Sequence, residues 1–249
     1  MVTNLGKALT SEKKEPDRRR ILYGRRRGRR LRPGQRDLVE KLLPGLEVDP
    51  VAADVFDPRA CFDALINDVW LEIGFGGGEH LAWQANAHPE TGMIGCEPFM
   101  NGVVKLLTRV RDDKLDNVRL YRDDARLLVE RLPENSLGRA FILFPDPWPK
   151  MRHHKRRIVS AEVLAHLARA LRDGTELRIA TDDPGYLEWI LWHLRCHPEF
   201  EWQASSPADW RTRPDDWPAT RYQEKAVAAR RSCAFLTYRR RSRAQTEGR

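Results

Sequence analysis

Short, uniformly apolar runs recur along this chain, and between them lie longer segments whose apolar residues return every three or four positions. The runs at 69–73, 93–96, 118–121, 140–144 and 176–180 read as strands buried on both faces. Helical spacing fills the intervals at 79–86, 99–111, 125–131, 161–171 and 186–196. The second of these carries the clearest apolar face, Val103, Leu106, Leu107 and Val110, and Asp173-Gly174 stops the fourth. Trp189 and Trp192 on the last helix read as core packing. Alternating strand and helix predicts a parallel sheet with helices on both faces. Toward the C-terminus, 200–202 and 233–238 add two strands, with a loop at 205–218 and a helix opening at 220–226. So short a route between two strands makes them antiparallel. The predicted fold is therefore α/β and Rossmann-like: seven strands, mostly parallel, with an antiparallel last strand. At the other end, a helix begins at Pro33-Gly34 with a stripe of Leu38, Leu42 and Leu43 and ends at Pro44-Gly45, and a short amphipathic helix is predicted at 58–65.

The first strand runs into Gly74-Phe75-Gly76-Gly77-Gly78 and then into a helix. Strand, glycine loop and helix open a nucleotide-binding unit, because glycine lets the backbone approach a ligand and free amides at a helix start favour electron-rich groups. The second strand ends in Glu97, about 20 residues past the loop, where an acid accepts hydrogen bonds from ribose hydroxyls. In a dinucleotide site the third glycine would stand where Glu79 does. The spacing Gly74-x-Gly76-x-Gly78 instead suits a cofactor without a pyrophosphate, and Glu72 within the strand would repel phosphate and attract a cation. A sulfonium cofactor, S-adenosyl-L-methionine, meets both conditions. Asp124, after the third strand, is placed beside an adenine pocket or as the N-cap of the following helix, and one carboxylate can do both. With Asp146 and Asp182, the acids Glu72, Glu97 and Asp124 all fall at or near strand carboxyl ends, where open α/β sheets bind ligands.

The fourth strand leads into Phe144-Pro145-Asp146-Pro147-Trp148-Pro149-Lys150. Alternate prolines remove backbone donors and predict extended torsions at Phe144, Asp146 and Trp148. Such a loop displays an acid, an aromatic and a lysine in fixed relation. Trp148 is either a stacking surface for a base or a spacer beneath the loop. The basic run Arg152, His153, His154, Lys155, Arg156 and Arg157 follows directly.

Charge extends the picture. The chain of 249 residues carries 44 Lys and Arg against 36 Asp and Glu, a net +8, and ten arginines lie between Arg18 and Arg36. With the run after Lys150 and the C-terminal segment 239–243, this is the footprint expected for a phosphate-rich partner. Residues 1–30 hold too few apolar positions to build a core and predict a disordered basic tail; 31–240 form one domain and 241–249 a polar tail. Cys61, Cys96, Cys196 and Cys233 form no CxxC pair, so neither a metal site nor a disulfide framework is predicted. No stretch is long and apolar enough for a membrane span, which predicts a cytoplasmic protein.

Taken together, 71–79, the proline-spaced loop with its basic run, Ala180-Thr181-Asp182 and Thr220-Arg221-Tyr222 resemble the bacterial tRNA (guanine-N7-)-methyltransferase family, over roughly residues 22–238. The resemblance implies a class I methyltransferase that uses S-adenosyl-L-methionine to methylate guanine N7 at position 46 of the tRNA variable loop, acting as a monomer or weak homodimer. It implies that Glu72, Gly74, Gly76, Gly78, Glu97, Asp124 and Asp146 bind the cofactor, with Asp146 also catalytic. Lys150, Asp182, Thr220, Arg221, Tyr222 and Gln223 would then contact substrate, and Arg152, His153, His154, Lys155, Arg156 and Arg157 the RNA. Gln223 departs from the family pattern, which has an acid there. Two other classes share parts of this pattern: a nicotinamide-dependent oxidoreductase, disfavoured by the missing third glycine, and an RNA-binding module with a vestigial cofactor site.

Overall fold

A computed structural model describes residues 22–246, apart from positions 51, 53, 54 and 64. The predicted tail up to residue 21 lies outside the described residues. In chain order the elements are α1 (Pro33–Lys41), α2 (Leu43–Leu46), β1 (Asp68–Ile73), α3 (Glu79–Ala87), β2 (Thr91–Cys96), α4 (Met100–Asp112), β3 (Val118–Tyr121), α5 (Ala125–Arg131), β4 (Leu137–Leu143), α6 (Ala161–Ala170), β5 (Leu171–Thr181), α7 (Pro184–Arg195), β6 (Phe200–Trp202), α8 (Ala208–Arg211), α9 (Arg221–Ala228), β7 (Ala234–Arg240) and α10 (Arg243–Thr246). A single 3₁₀ turn spans Arg59–Cys61, and a 3₁₀ segment of two turns spans Met151–Arg156.

The strands form one sheet in the order β3-β2-β1-β4-β5-β7-β6. The pairs from β3 through β5 are parallel, and β7 runs antiparallel to both β5 and β6. Each central strand is apolar on both faces because helices cover both. In β1, Val69, Leu71 and Ile73 join the core beneath α5, α6 and α7, while Trp70 joins the core beneath α1, α3 and α4. The strand order reverses between β1 and β4, so the connections that leave their carboxyl ends run to opposite sides. Between those ends lies the crevice where an open α/β sheet takes its ligand.

Several sequence expectations change. Pro44-Gly45 does not stop a helix; it forms the turn α2, because proline is tolerated at a helix's first positions. Only the 3₁₀ turn Arg59–Cys61 occupies the predicted helix at 58–65. The Asp173-Gly174 pair lies within β5: α6 ends at Ala170, and 172–175 bulge around Gly174, φ 78°, between the pairs Leu137↔Leu171 and Arg139↔Glu176. The loop at 205–218 contains the single turn α8. Trp192 is not core; it is 63% exposed, because Tyr186, Ile190 and Leu194 serve the buried face of α7.

The C-terminal arginines also read differently in the structure. Because β7 is reversed, its last residues pair with the start of β5, at the sheet end opposite the crevice. There Arg240 is buried and donates to Glu199 Oε1 (2.6 Å) and to the Ala168 carbonyl (2.7 Å), while Arg243 pairs with Asp173 and Glu134. These cations hold the fold together and lie away from the crevice.

Candidate active site

The carboxyl ends of β1, β2, β3 and β4 surround a cavity of about 570 Å³, a volume typical of cofactor-sized sites. Gly74, Glu97, Asp124, Asp146 and Tyr222 line it together with Phe99, Phe144, Trp148 and Arg156. Glu72 and Thr220 line a small recess beside it, sharing Gly74, Phe144 and Tyr222. The remaining predicted positions lie elsewhere. Asp182 is ion-paired with Arg231 at 2.8 Å, Lys150 is exposed at the start of the 3₁₀ segment, and Arg221 lines an open groove with Glu79, Trp83 and Arg109.

Left-handed torsions explain the glycine spacing. Gly74, Gly76 and Gly78 have φ of 77°, 57° and 74°, a region that side chains rarely enter. Space adds a second constraint: a Cβ on Gly76 would sit 2.7 Å from the Tyr222 ring, and one on Gly102 of α4 would collide with the Gly76 carbonyl. The loop is therefore sandwiched between α4 and Tyr222. Glu97 ties it to β2, accepting from Gly76 N–H and Phe99 N–H, both at 2.9 Å, and each oxygen retains further acceptor capacity. Burial raises the Glu97 carboxyl above its usual range against the pull of those two bonds, and the charges of Asp146 and Glu72 raise it further.

Asp146 stands at the mouth of the cavity, and desolvation raises its carboxyl too. The Tyr222 hydroxyl shifts upward, first from desolvation and then from the charges of Glu97, Asp146 and Glu79. Acids that disfavour one another's ionisation form a field that a cation relieves. Glu72 is buried and held from behind, with Oε2 2.8 Å from His80 Nδ1. The second His80 nitrogen lies 3.1 Å from the Gln84 amide nitrogen, which donates to the Asp216 carbonyl. That arrangement fits Nδ1–H donating to Glu72 while the other ring nitrogen accepts from the Gln84 amide.

Asp124 both caps and lines. Oδ1 accepts from Arg126 N–H of α5 at 3.1 Å, and Oδ2 pairs with the Arg126 guanidinium at 3.0 Å. The same guanidinium donates to the Arg156 carbonyl at 3.0 Å, linking the end of β3 to the basic run.

The proline-spaced loop departs from its expected torsions. Phe144 and Trp148 have φ of 50° and 45°, although each precedes a proline. Compensating contacts hold them there. Phe144 N–H donates to the Ala180 carbonyl at 2.8 Å, and Trp148 lies 4.9 Å from the Arg156 guanidinium and 5.8 Å from the His153 ring. Arg157 braces the turn from beneath, contrary to the expectation of RNA contact. It is buried, donates to the Pro147 carbonyl at 2.8 Å and lies between the Tyr186 and Trp189 rings. Arg156 is partly turned inward as well, held over both Tyr23 (4.4 Å) and Trp148. Arg152 and Lys155 are exposed.

Sequence reasoning missed the N-terminal wall of the cavity. Leu22, Tyr23, Gly24 and Arg25 line it, anchored by Arg26 to Asp123 (2.8 Å), by Met100 N–H to the Arg26 carbonyl (3.0 Å) and by Asn101 to Gly28 and Arg29. The available signal was the apolar pair Leu22-Tyr23 interrupting an arginine-rich stretch. Among the described residues, no group of three or more His, Cys, Asp or Glu is arranged to hold a metal ion, and no helix is long and apolar enough to cross a membrane.

Comparison with known proteins agrees with this geometry. A family model described as "Putative methyltransferase" matches residues 67–236. The chain is 49% identical over 230 residues to the tRNA (guanine-N(7)-)-methyltransferase of Rhodospirillum rubrum, covering 91% of this chain and 90% of that protein. Against the protein of that name from Paramagnetospirillum magneticum, identity is 50% over 223 residues, covering 89% and 93%. Among solved structures, the 16S rRNA (adenine(1408)-N(1))-methyltransferase from Catenulisporales acidiphilia matches with a TM-score of 0.50 at 18% identity, covering 78% of this chain and 94% of that one, a likeness of fold. With a family model over most of its length and relatives near half identity end to end, the chain belongs to the tRNA (guanine-N(7)-)-methyltransferase family.

Proposed function

We propose that this protein transfers the methyl group of S-adenosyl-L-methionine to guanine N7 in tRNA, at position 46 of the variable loop, by in-line attack without a general base. One observation carries the reading: the glycine loop, the cofactor-facing acids and the proline-spaced loop with its basic run converge on a single cavity. The names of its relatives supply the substrate class.

The residues present fit the cofactor. Left-handed glycines let backbone approach it, Glu97 keeps acceptor capacity for ribose hydroxyls, and Asp124 borders the adenine end. The clustered charges of Glu97, Asp146 and Glu72 suit a cationic centre. When bound, S-adenosyl-L-methionine supplies an electrophilic methyl group on positively charged sulfur.

Guanine N7 carries a lone pair and no proton, so its attack leaves the protein no proton to remove. The chain's task is positioning, and alignment of bound reactants can supply on the order of 7–11 kcal/mol. Asp146 does this at the mouth of the cavity. Its carboxylate accepts from guanine N1–H and N2–H, or from the methionine ammonium, and either contact orients the reactants. Tyr222, beside Glu97 and Asp146 and over Gly76, closes the same space. Lys150, Arg152 and Lys155 offer cations to phosphate, and Trp148 offers a face to the base.

Equilibrium dialysis with labelled S-adenosyl-L-methionine tests the cofactor half of the reading. The wild-type protein binds, and Glu97→Gln weakens binding about tenfold or more, as expected for loss of a charged hydrogen-bonding group. No binding by the wild type would favour the oxidoreductase or the vestigial module.

A further inference from the structure

The basic run does not end at the 3₁₀ segment Met151–Arg156. It continues into α7 as a row of rings. Trp148, on the cavity wall, lies 5.8 Å from His153. The adjacent His154 lies 5.3 Å from Trp189, Trp189 lies 4.3 Å from His193, and His193 lies 4.7 Å from Trp192. The row starts at the cavity and ends at an indole that is 63% exposed on the solvent side of α7.

Packing does not account for Trp192. The helix already buries Tyr186, Ile190 and Leu194, and Trp189 is fixed by donating its indole N–H to the Val159 carbonyl at 2.7 Å. The exposed residues that flank this row are mostly cationic. Arg195 follows Trp192 by one turn of α7, and Arg152 and Lys155 are exposed on the 3₁₀ segment whose His154 meets Trp189, where Met151 is 86% exposed; Glu188, one turn before Trp192, is an exposed acid. A second copy of the chain is the poorer occupant, because a self-complementary contact would bring these cations against their own copies.

We infer that the solvent face of α7 around Trp192 is a secondary RNA-docking surface, on which an unpaired base of the tRNA stacks while Arg152 and Lys155 hold the adjoining phosphates. The inference rests on the proposed tRNA substrate and adds a contact outside the cavity. Stacking and phosphate neutralisation leave different signatures. A stacked base releases no counterions, so its loss lowers affinity equally at every salt concentration, whereas each lost phosphate contact flattens the slope of log K against log salt by roughly 0.7–0.9.

The test is filter binding of bulk tRNA across a salt series, with Trp192→Ala, Trp192→Phe and Lys155→Ala beside the wild type. Cofactor dialysis and thermal unfolding report whether each variant is folded. Trp192→Ala is expected to weaken binding roughly fivefold or more with the slope kept. Trp192→Phe should recover most of the loss, and Lys155→Ala should flatten the slope. Wild-type affinity in Trp192→Ala overturns the docking surface and leaves the proposed function standing if the wild type binds and methylates tRNA. A wild type that binds no tRNA overturns both. If sedimentation shows a dimer that Trp192→Ala separates into monomers, the face is an interface between copies and the inference is wrong.

Discussion

Arg157 donates to the Pro147 carbonyl between two rings, while Lys155, two residues earlier in the same run, is exposed. Replacing each with alanine should separate their roles. Arg157→Ala removes a buried side chain packed between two rings and its bond to the partly buried Pro147 carbonyl, and is expected to cost about 1–3 kcal/mol of stability by denaturant unfolding. Lys155→Ala should leave stability within about 0.5 kcal/mol, as surface substitutions do. The run looks uniform in sequence because composition records charge and not direction; inward rotation of Arg157 depends on where Tyr186 and Trp189 lie in space. The acids make a second prediction at this scale. Desolvation raises Glu97 and Asp146 in the folded protein, so the fold favours their protonated forms. Their contribution to stability is therefore fullest below the ordinary carboxylate pKa of about 4 and is lost as pH rises through their raised values. Cofactor affinity should move the opposite way over that window, because ionised acids attract the sulfonium. A pH series of unfolding and dialysis checks both, and Asp146→Asn with Glu97→Gln should flatten them. Turnover with saturating cofactor and tRNA should change little between about pH 7 and 8, because no histidine acts as a base.

The strand, glycine loop and helix unit was legible because its chemistry is local: glycine spacing, strand length and the acid that ends β2 are all written within about thirty residues of sequence. Contacts between distant elements were not. Gly102 falls within the helix predicted at 99–111 with nothing in its own stretch to single it out, yet α4 passes so close to the glycine loop that any side chain there meets the Gly76 carbonyl. Gly102→Ala should therefore push α4 and the loop apart, costing about 1–3 kcal/mol and weakening cofactor binding, measurable by thermal unfolding and dialysis. Phe144 and Trp148 show the same limit. A following proline predicts extended backbone, and only the bond to Ala180 and the packing against Arg156 and His153 explain their left-handed torsions. Residues 22–30 are a third case: polar composition hid a segment whose tip walls the cavity, because its partners, Phe99, Asn101 and Asp123, lie about a hundred residues away or less in sequence and adjacent in space.

Across the whole molecule, the sheet sorts the charge. Its carboxyl end gathers Glu72, Glu97, Asp124 and Asp146 at the cavity, with Arg152 and Lys155 beyond it, while Arg240 and Arg243 are spent on internal pairs at the opposite end. In the proposed function, the acids serve the methyl donor and the exposed cations serve the RNA. The proline-spaced loop lies between these fields, with Asp146 at their boundary. This arrangement predicts tRNA binding that weakens steeply with salt, through the run after Lys150 and not through the C-terminal arginines. Neutralising Arg152 and Lys155 together should reduce the salt slope by about 1.4–1.8. The most direct test is transfer of labelled methyl from S-adenosyl-L-methionine to bulk tRNA, followed by nucleoside analysis. Label is expected in N7-methylguanosine, and it should be lost when position 46 is not guanosine. Label in any other nucleoside, or none in tRNA at all, would contradict the proposed function.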